Sequence, residues 1–197
     1  MRELKDYSVK QLEALARRLR GQLVSAVQKN GGHLSSNLGA VELTLALHKV
    51  FDFPQDKLVF DVGHQAYVHK LLTGRSLDAL RAKGGVSGFP DPAESEYDAF
   101  IAGNSGNSLA AGIWLCNARD LAGGTGKVIC LIGDASLGNG LALEAVFSAE
   151  NKPENFLVIL NDNGMAIDKN RTANRAISRM TAKKRYRTFN SRLAGTF

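Results

Sequence analysis

The chain has 197 residues, of which 44% are hydrophobic and 22% are charged, so it can bury one sizeable core and is not a disordered segment. No apolar run approaches the roughly 20 residues that a membrane-spanning helix requires. The N-terminus contains Glu3, Lys5 and Asp6 in place of the apolar core of a signal peptide, which predicts a cytoplasmic protein.

The net charge of +6 originates at the C-terminal end of the sequence. Residues 169–197 contain nine basic and no acidic residues, which leaves 16 basic and 19 acidic residues in positions 1–168, a charge of −3. A basic segment can bind nucleic acid or another phosphate-rich surface. Tyr186 and Phe189 also suit a helix that docks on another domain, and we favour docking over nucleic acid. We therefore predict one domain over residues 1–168 and a basic tail over 169–197.

The first half of the chain predicts three helices and one strand. Ser8 is a suitable N-cap, and the apolar residues that follow it have the three-to-four spacing of an amphipathic helix ending at Gly31-Gly32. A second helix is predicted from Gly39 to about Val50. A strand over Lys57 to Asp61 and a short helix over Val68 to Leu72 follow.

The second half alternates strands with helices. A Gly-rich loop beginning at Asn104 leads into a helix that extends to Leu121, and strands are predicted over Val128 to Ile132 and Phe156 to Leu160. A helical stretch from about Leu141 to Glu150 separates these two strands. The alternation predicts a parallel sheet in an α/β fold. Cys116 and Cys130 lie in apolar segments without CxxC spacing, so we assign both to the core.

Polar side chains follow the two strands of the second half. Asp134 comes after the first of them and Asn163 after the next, one crossover later. Because the carboxyl ends of parallel strands meet at one edge of a sheet, a carboxylate and an amide oxygen there could share Mg²⁺. The alternative is that Asp134 caps the following helix and Asn163 forms an Asx turn.

Small residues from Ala102 to Ser108 precede the helix that follows them. Their backbone N–H groups could approach a diphosphate, and the helix N-terminus would add partial positive charge. A turn with an N-cap would also explain the pattern.

The four histidines fall into two classes. His33 and His64 lie in glycine-flanked loops, where imidazole suits acid–base work near neutral pH. His48 and His69 lie in helical stretches, where we expect His48 on a helix surface or in the core. We interpret Lys70 as an ordinary solvated charge.

Several strings resemble a known family in both order and spacing. Gly133-Asp134-Ala135 with Asn161-Asp162-Asn163 is similar to the thiamin-diphosphate motif. Taken with four further segments, it makes the sequence from about residue 5 to 168 resemble the N-terminal domain of the 1-deoxy-D-xylulose-5-phosphate synthase family. These segments are Gly32 to Gly39, Asp61 to Lys70, Gly84 to Pro90 and Glu94 to Asp98.

The resemblance implies a three-layer, parallel-sheet α/β fold that binds thiamin diphosphate, as in the diphosphate domain of transketolases. It implies that Mg²⁺ is held by Asp134, Asn163 and the backbone carbonyl of Met165. It implies catalytic roles for His33 and His64. The implied cofactor contacts are His64, Gly103, Asn104, Ser105, Asp134, Ala135, Ser136 and Asn163. The sequence departs from the family at Asn104, where the family usually has histidine.

The implied reaction transfers a two-carbon unit from pyruvate to glyceraldehyde 3-phosphate, in the synthesis of isoprenoid and thiamin precursors. The family activates the cofactor's aminopyrimidine with a glutamate from a second domain. We therefore expect this chain to be the diphosphate-binding part only, to be inactive alone, and to need a pyrimidine-domain partner or C-terminal domains in a homodimer. Two alternatives remain: the N-terminal subunit of a split transketolase, and an inactive cofactor-binding or interaction module.

Overall fold

A computed structural model describes residues 2–148 and 154–163. The described elements, in chain order, are α1 (Arg2–Lys5), α2 (Val9–Asn30), α3 (Leu34–Leu38), α4 (Val41–Val50), β1 (Lys57–Phe60), α5 (Tyr67–Leu72), α6 (Ser108–Leu121), β2 (Val128–Gly133), α7 (Asp134–Leu137), α8 (Gly140–Ser148) and β3 (Phe156–Asn161). Met165 and the basic tail lie outside the described residues. Among the described helices, none combines the length and hydropathy that crossing a bilayer requires.

Helix α2 begins and ends where its sequence signals predict. The Ser8 hydroxyl accepts from the backbone N–H of Gln11 at 3.4 Å, and the Gln11 side-chain oxygen accepts from the Ser8 N–H at 2.8 Å. This reciprocal pair is a capping box, which satisfies two backbone donors at the helix start. The helix ends at Gly31, whose φ of +74° favours glycine.

The sheet is parallel, with strand order β1-β2-β3, as predicted. In the register Lys57 pairs with Val128, and Val128 pairs in turn with Phe156. The central strand β2 is buried along its length up to Gly133. A strand covered on both faces is a near-continuous apolar run, which is the pattern that identified it in the sequence.

Helices cover both faces of the sheet. On one face, β2 packs against α6 and α8 through the cluster Val59, Leu109, Cys116, Val128, Cys130, Ile132, Ala142 and Ala145. On the other face, Ile129 and Leu131 pack with Phe60, Leu47 of α4, Phe53 and Ala66. Outside this layer, α2 packs on α4 and α5 through Leu15, Leu19, Leu23, Val41, Leu45 and Val68. The three-layer prediction is confirmed, and both cysteines are core residues with no exposed surface.

The topology places three polar segments along one edge of the sheet. Because the strands are parallel, the segments that follow Phe60, Gly133 and Asn161 all leave the sheet at its carboxyl edge. In open α/β sheets, ligands bind at this edge. Helices α3 and α7, which the sequence pattern did not predict because they are shorter than two turns, begin directly after His33 and Gly133.

Candidate functional site

Asp134 lies at the carboxyl end of the central strand. It is the first residue of α7 and its side chain is buried, with 3% of the residue exposed. The N-cap of α7 is Gly133, and no side chain caps the helix, so the alternative in which Asp134 serves as the cap is wrong. Its Oδ2 atom is buried and accepts no hydrogen bond within the described part of the chain. A buried carboxylate oxygen without a partner is costly, and a bound cation would remove that cost.

Asn163 follows the neighbouring strand. Gly133 pairs with Asn161 in the register, so Asp134 and Asn163 come directly after the ends of adjacent strands. Asn163 is exposed, whereas Ala135 and Ser136 in α7 are half-buried. Within residues 2–148 and 154–163, no group of three or more His, Cys, Asp or Glu side chains could hold a metal. A cation at Asp134 would therefore complete its shell with amide, carbonyl or ligand oxygens, which are ligands that Mg²⁺ accepts.

Asp61 lies at the end of β1 and organises the Gly-rich loop. Its carboxylate accepts from the Gly106 N–H at 2.9 and 3.0 Å, from the Ser108 N–H at 3.3 Å and from the Ser108 hydroxyl at 2.7 Å. Asp61 is buried, with 1% of its surface exposed. Hydrogen bonds to a carboxylate are stronger than those between neutral groups, so Asp61 fixes the loop at the start of α6.

The position of Asp61 narrows the part of the loop that can contact an anion. The Gly106 and Ser108 N–H groups already donate to a carboxylate, which also offsets the partial positive charge at the start of α6. Gly103, Asn104 and Ser105 are exposed. The N-terminus of α6, which the sequence analysis offered as a diphosphate contact, therefore already contacts the Asp61 carboxylate. The exposed first half of the loop is the part available to a ligand.

Gly106 cannot be replaced without moving its neighbours. Its φ is +89°, and a Cβ built on it would lie 2.5 Å from Cγ of Asn139. Asn139 in turn donates from Nδ2 to the Ser105 carbonyl at 3.3 Å. The loop therefore packs against the segment that follows α7, so Asp61, the Gly-rich loop and the Asp134 helix form one contiguous region.

The two predicted catalytic histidines lie side by side. The ring centroids of His33 and His64 are 5.2 Å apart, with the rings inclined at 68°. His33 is exposed, and the Phe89 ring lies 6.2 Å from its ring. His64 is half-buried, and its buried Nδ1 has no hydrogen-bond partner among the described residues.

The surroundings of His64 favour the neutral imidazole. Burial and the adjacent His33 lower the pKa of His64, and the nearby Asp61 carboxylate opposes them without reversing the direction. A pKa below its ordinary value leaves His64 without a positive charge at neutral pH. It can then accept a proton from a group placed beside it.

The backbone between Asp61 and His64 adopts an uncommon conformation. Val62 has a φ of +60°, which is rare for a β-branched residue, and Gly63 has a φ of +83°. A Cβ on Gly63 would lie 2.3 Å from Cδ of Pro90. Strained turns persist only where the surrounding structure holds the backbone in that conformation, and they are concentrated at functional sites. This turn directs Asp61 toward the Gly-rich loop and His64 toward His33.

A buried charge cluster joins α4 and α5 to the segment that follows α5. Its members are His48, His69, Lys70, Arg75, Glu94 and Asp98. Lys70 has no exposed surface and donates to Glu94 at 2.6 Å, so its interpretation as a solvated charge is wrong. Arg75 donates to both Asp98 oxygens, at 2.6 and 2.8 Å, and to Glu94 at 2.9 Å.

The histidines of the cluster are neutral bases inside the core. His69 lies 2.9 Å from His48 and 3.2 Å from Asp98, measured between side-chain atoms. Burial and the neighbouring His69 lower the pKa of His48 to about 3. Burial opposes the ionisation of Asp98, but hydrogen bonds from His69 and Arg75 outweigh it and hold the pKa of this carboxyl well below its usual range. The cluster anchors the segment that places Phe89 against His33 and Pro90 against Gly63.

Comparison with known proteins decides the family. The family model for 1-deoxy-D-xylulose-5-phosphate synthase matches residues 1–197. The chain belongs to this family. It is 52% identical to the 1-deoxy-D-xylulose-5-phosphate synthase of Syntrophomonas wolfei over 171 residues, 86% of this chain and 27% of the relative. It is also 49% identical over 170 residues to that of Acidobacterium capsulatum, covering 85% and 27% of the two chains.

A third relative, the 1-deoxy-D-xylulose-5-phosphate synthase of Dictyoglomus turgidum, is 50% identical over 171 residues, which are 86% of this chain and 28% of the relative. The chain thus spans about 27% of the length of these synthases. The family resemblance expected from the sequence motifs is confirmed.

Within this synthase-family chain, the structure adds residues that the sequence analysis left unassigned. The sequence analysis named Asp61 only as the end of a predicted strand and the start of the segment Asp61 to Lys70, although an acid at the end of a strand is a usable signal. The partners of Lys70 are 24 and 28 residues away in the sequence, at Glu94 and Asp98, and no local periodicity links them. The roles predicted for the histidines, the Gly-rich loop and the metal ligands remain predictions.

Proposed function

We propose that this chain binds Mg²⁺ and the diphosphate of thiamin diphosphate within a 1-deoxy-D-xylulose-5-phosphate synthase, which transfers a two-carbon unit from pyruvate to glyceraldehyde 3-phosphate. The observation behind this proposal is the buried Asp134 carboxylate with an unpartnered oxygen at the carboxyl end of the central strand. Membership of the synthase family supports this function over that of a split transketolase subunit.

The metal site in this proposal uses three oxygens of the chain. Asp134 supplies a carboxylate, Asn163 an amide oxygen and Met165 a backbone carbonyl. The first two follow adjacent strands, and Met165 lies outside the described residues. The charge of the metal would compensate the buried carboxylate, and phosphate oxygens and water would complete the shell.

The diphosphate in this proposal lies against two short segments. The exposed loop of Gly103, Asn104 and Ser105 offers backbone N–H groups, and Ala135 and Ser136 are at the start of α7 beside the metal ligand. Asn104 can donate through its amide but cannot titrate near neutral pH, so it does not replace an acid–base histidine.

The histidines handle protons in this proposal. His64, which is half-buried and has a pKa below its ordinary value, would contact the cofactor and the substrate side. His33, which is exposed and lies beside it, would relay protons near the reacting carbonyl. Thiamin diphosphate, when bound, supplies the carbon nucleophile and stabilises the carbanion that follows loss of CO₂.

The other half of the cofactor needs a second domain. We propose that a pyrimidine-binding domain outside residues 1–168 activates the aminopyrimidine, with the basic segment 169–197 leading toward it. We propose that the complete enzyme is a cytoplasmic homodimer. The greater length of the relatives leaves room for such a pyrimidine-binding domain.

Calorimetry tests the assignment of Asp134. Thiamin diphosphate is titrated into the 197-residue chain, with saturating Mg²⁺ or with EDTA. We expect Mg²⁺-dependent binding in the wild type and a loss of about tenfold or more in Asp134→Asn, since even residues that only support metal ligands change metal affinity by this amount.

The control is Glu13→Gln, the same change of acid to amide at an exposed position on α2. Circular dichroism checks that each variant is folded. Wild-type affinity in Asp134→Asn would show that Asp134 does not hold the metal. Absence of Mg²⁺-dependent binding by the wild-type chain would refute the proposed cofactor function.

A further inference from the structure

Asn37 connects the two histidine loops through a single side chain. It lies in α3 and has no exposed surface. Its Nδ2 donates to the backbone carbonyl of His33 at 2.6 Å and to that of His64 at 2.8 Å. Its Oδ1 accepts from the backbone N–H of Tyr67 at 2.9 Å. Both donors and the acceptor of this buried amide are therefore engaged.

The chemistry of the position requires an amide. Two backbone carbonyls need two N–H donors, and the Tyr67 N–H needs an acceptor in the same side chain. A carboxylate would face two carbonyl oxygens without a proton to offer, and an apolar side chain would leave all three backbone groups unpaired. Tyr67 supports the same arrangement, because its hydroxyl oxygen accepts from the His33 N–H at 3.5 Å.

Glycine provides the space for this junction. A Cβ on Gly32 would lie 2.7 Å from the Tyr67 hydroxyl, and Gly32 has a φ of +130°. The loop that precedes His33 is therefore held against Tyr67 on one side and by Asn37 on the other. The His33 and His64 backbones have no freedom to separate while these contacts persist.

We propose that Asn37 is a positioning residue that sets the separation of His33 and His64. This inference rests on the proposed proton-handling role of the two histidines, but the spacing of their rings can be measured without cofactor or turnover. The hydrogen bonds of the Asn37 side chain all go to backbone atoms and not to either ring. Asn37 acts through the backbone carbonyl of each histidine.

The test is NMR titration of the histidines in the 197-residue chain, which has only four of them. In the wild type, His33→Gln should raise the pKa of His64, because it removes the neighbouring imidazole that lowers this pKa and whose ring centroid lies 5.2 Å from that of His64. In an Asn37→Ala background, His33→Gln should change the pKa of His64 by about half as much or less, since the interaction between charges weakens with separation. The NOE between the two rings should weaken in parallel.

Asn30→Asp and Asn30→Ala are the matched controls. Asn30 Nδ2 also bridges two backbone carbonyls, those of Leu77 and Asp78, at 3.1 and 3.2 Å, and neither carbonyl belongs to His33 or His64. These variants should keep the wild-type coupling of His33 and His64. Asn37→Asp should reduce it, as Asn37→Ala does.

A measurement on the wild type covers the case in which the Asn37 variants do not fold. The two side-chain N–H protons of Asn37 should exchange with solvent much more slowly than those of exposed Asn139. Undiminished coupling in a folded Asn37→Ala variant, or unprotected Asn37 side-chain protons in the wild type, would overturn the proposal. Neither result depends on whether Asp134 binds Mg²⁺, so the two proposals fail separately.

Discussion

Removal of a single charge from the buried charge cluster should destabilise the protein far more than removal of both charges of an ion pair in the same cluster. Lys70 and Arg75 balance Glu94 and Asp98, so the cluster is neutral when its histidines are neutral. Lys70→Met leaves one negative charge uncompensated in a place where Lys70 itself has no exposed surface. Breaking a buried pair in this way costs about 3–5 kcal/mol, and we expect about 3 because Arg75 still contacts Glu94.

The combined variant Lys70→Met with Glu94→Gln restores neutrality, so it should cost less than the sum of the single variants. We expect a coupling of about 1–3 kcal/mol. In a domain of this size, about 3 kcal/mol lowers the melting temperature by roughly 6–12 °C. Urea and thermal unfolding followed by circular dichroism measure both quantities.

The control cycle uses Arg20 and Glu42, an ion pair in which both side chains are exposed. Its coupling should stay below about 1 kcal/mol. Additive losses at Lys70 and Glu94, with no more coupling than in the control pair, would refute the account of the cluster as a compensated set of buried charges.

Two further predictions concern Asp61 and the buried histidines. Asp61→Asn replaces one accepting oxygen with a donor and should speed amide hydrogen exchange of Gly106 and Ser108 by about tenfold or more, because each bond to the carboxylate is worth about 1.5–3 kcal/mol. Unchanged protection of both amides would contradict this. His48 has a folded pKa of about 3, below its unfolded value, so the unfolded state binds the extra proton and stability falls as pH drops below about 6.5. His48→Gln should make the loss of stability between pH 7.5 and 5 smaller by about 2 kcal/mol, measured by urea unfolding at each pH. An unchanged pH dependence would show that His48 titrates normally in the folded chain.

The fold could be predicted because its signals are local or periodic. The apolar run before Asp134 indicated a strand buried on both faces, and Ser8 with Gln11 indicated the start of α2. The expectation that a ligand binds at the carboxyl edge followed from the strands being parallel, and it remains a prediction. The catalytic roles predicted for His33 and His64 came from family resemblance, and the proximity of their rings was not predicted, because nothing local in the sequence joins the two loops.

The parts that could not be predicted depend on contacts between distant segments. In the sequence, Lys70 is indistinguishable from any other lysine on a short helix. Only the folded chain places Glu94 and Asp98 beside it. Nothing in the sequence around Asn37 indicates its role, and only the folded chain shows that its amide donates to two carbonyls from different loops. Asp61 was expected to end a strand. Its contact with the N-terminus of α6 could not be predicted, because that contact depends on how β1 and the Gly-rich loop lie relative to each other in the folded chain.

The Asp61 carboxylate affects which anions can bind at the carboxyl edge of the sheet. Asp61 holds the Gly-rich loop in one conformation without a ligand. A diphosphate that binds there would therefore not lose affinity through the entropic cost of ordering the loop, because folding has already ordered it. The same carboxylate, together with Asp134, gives the edge a negative character. We therefore expect a free phosphate or diphosphate to be repelled and a diphosphate that arrives with its divalent cation to be accepted. For this reason we expect a loop ordered by an internal anion to favour the metal complex of a diphosphate over the free diphosphate.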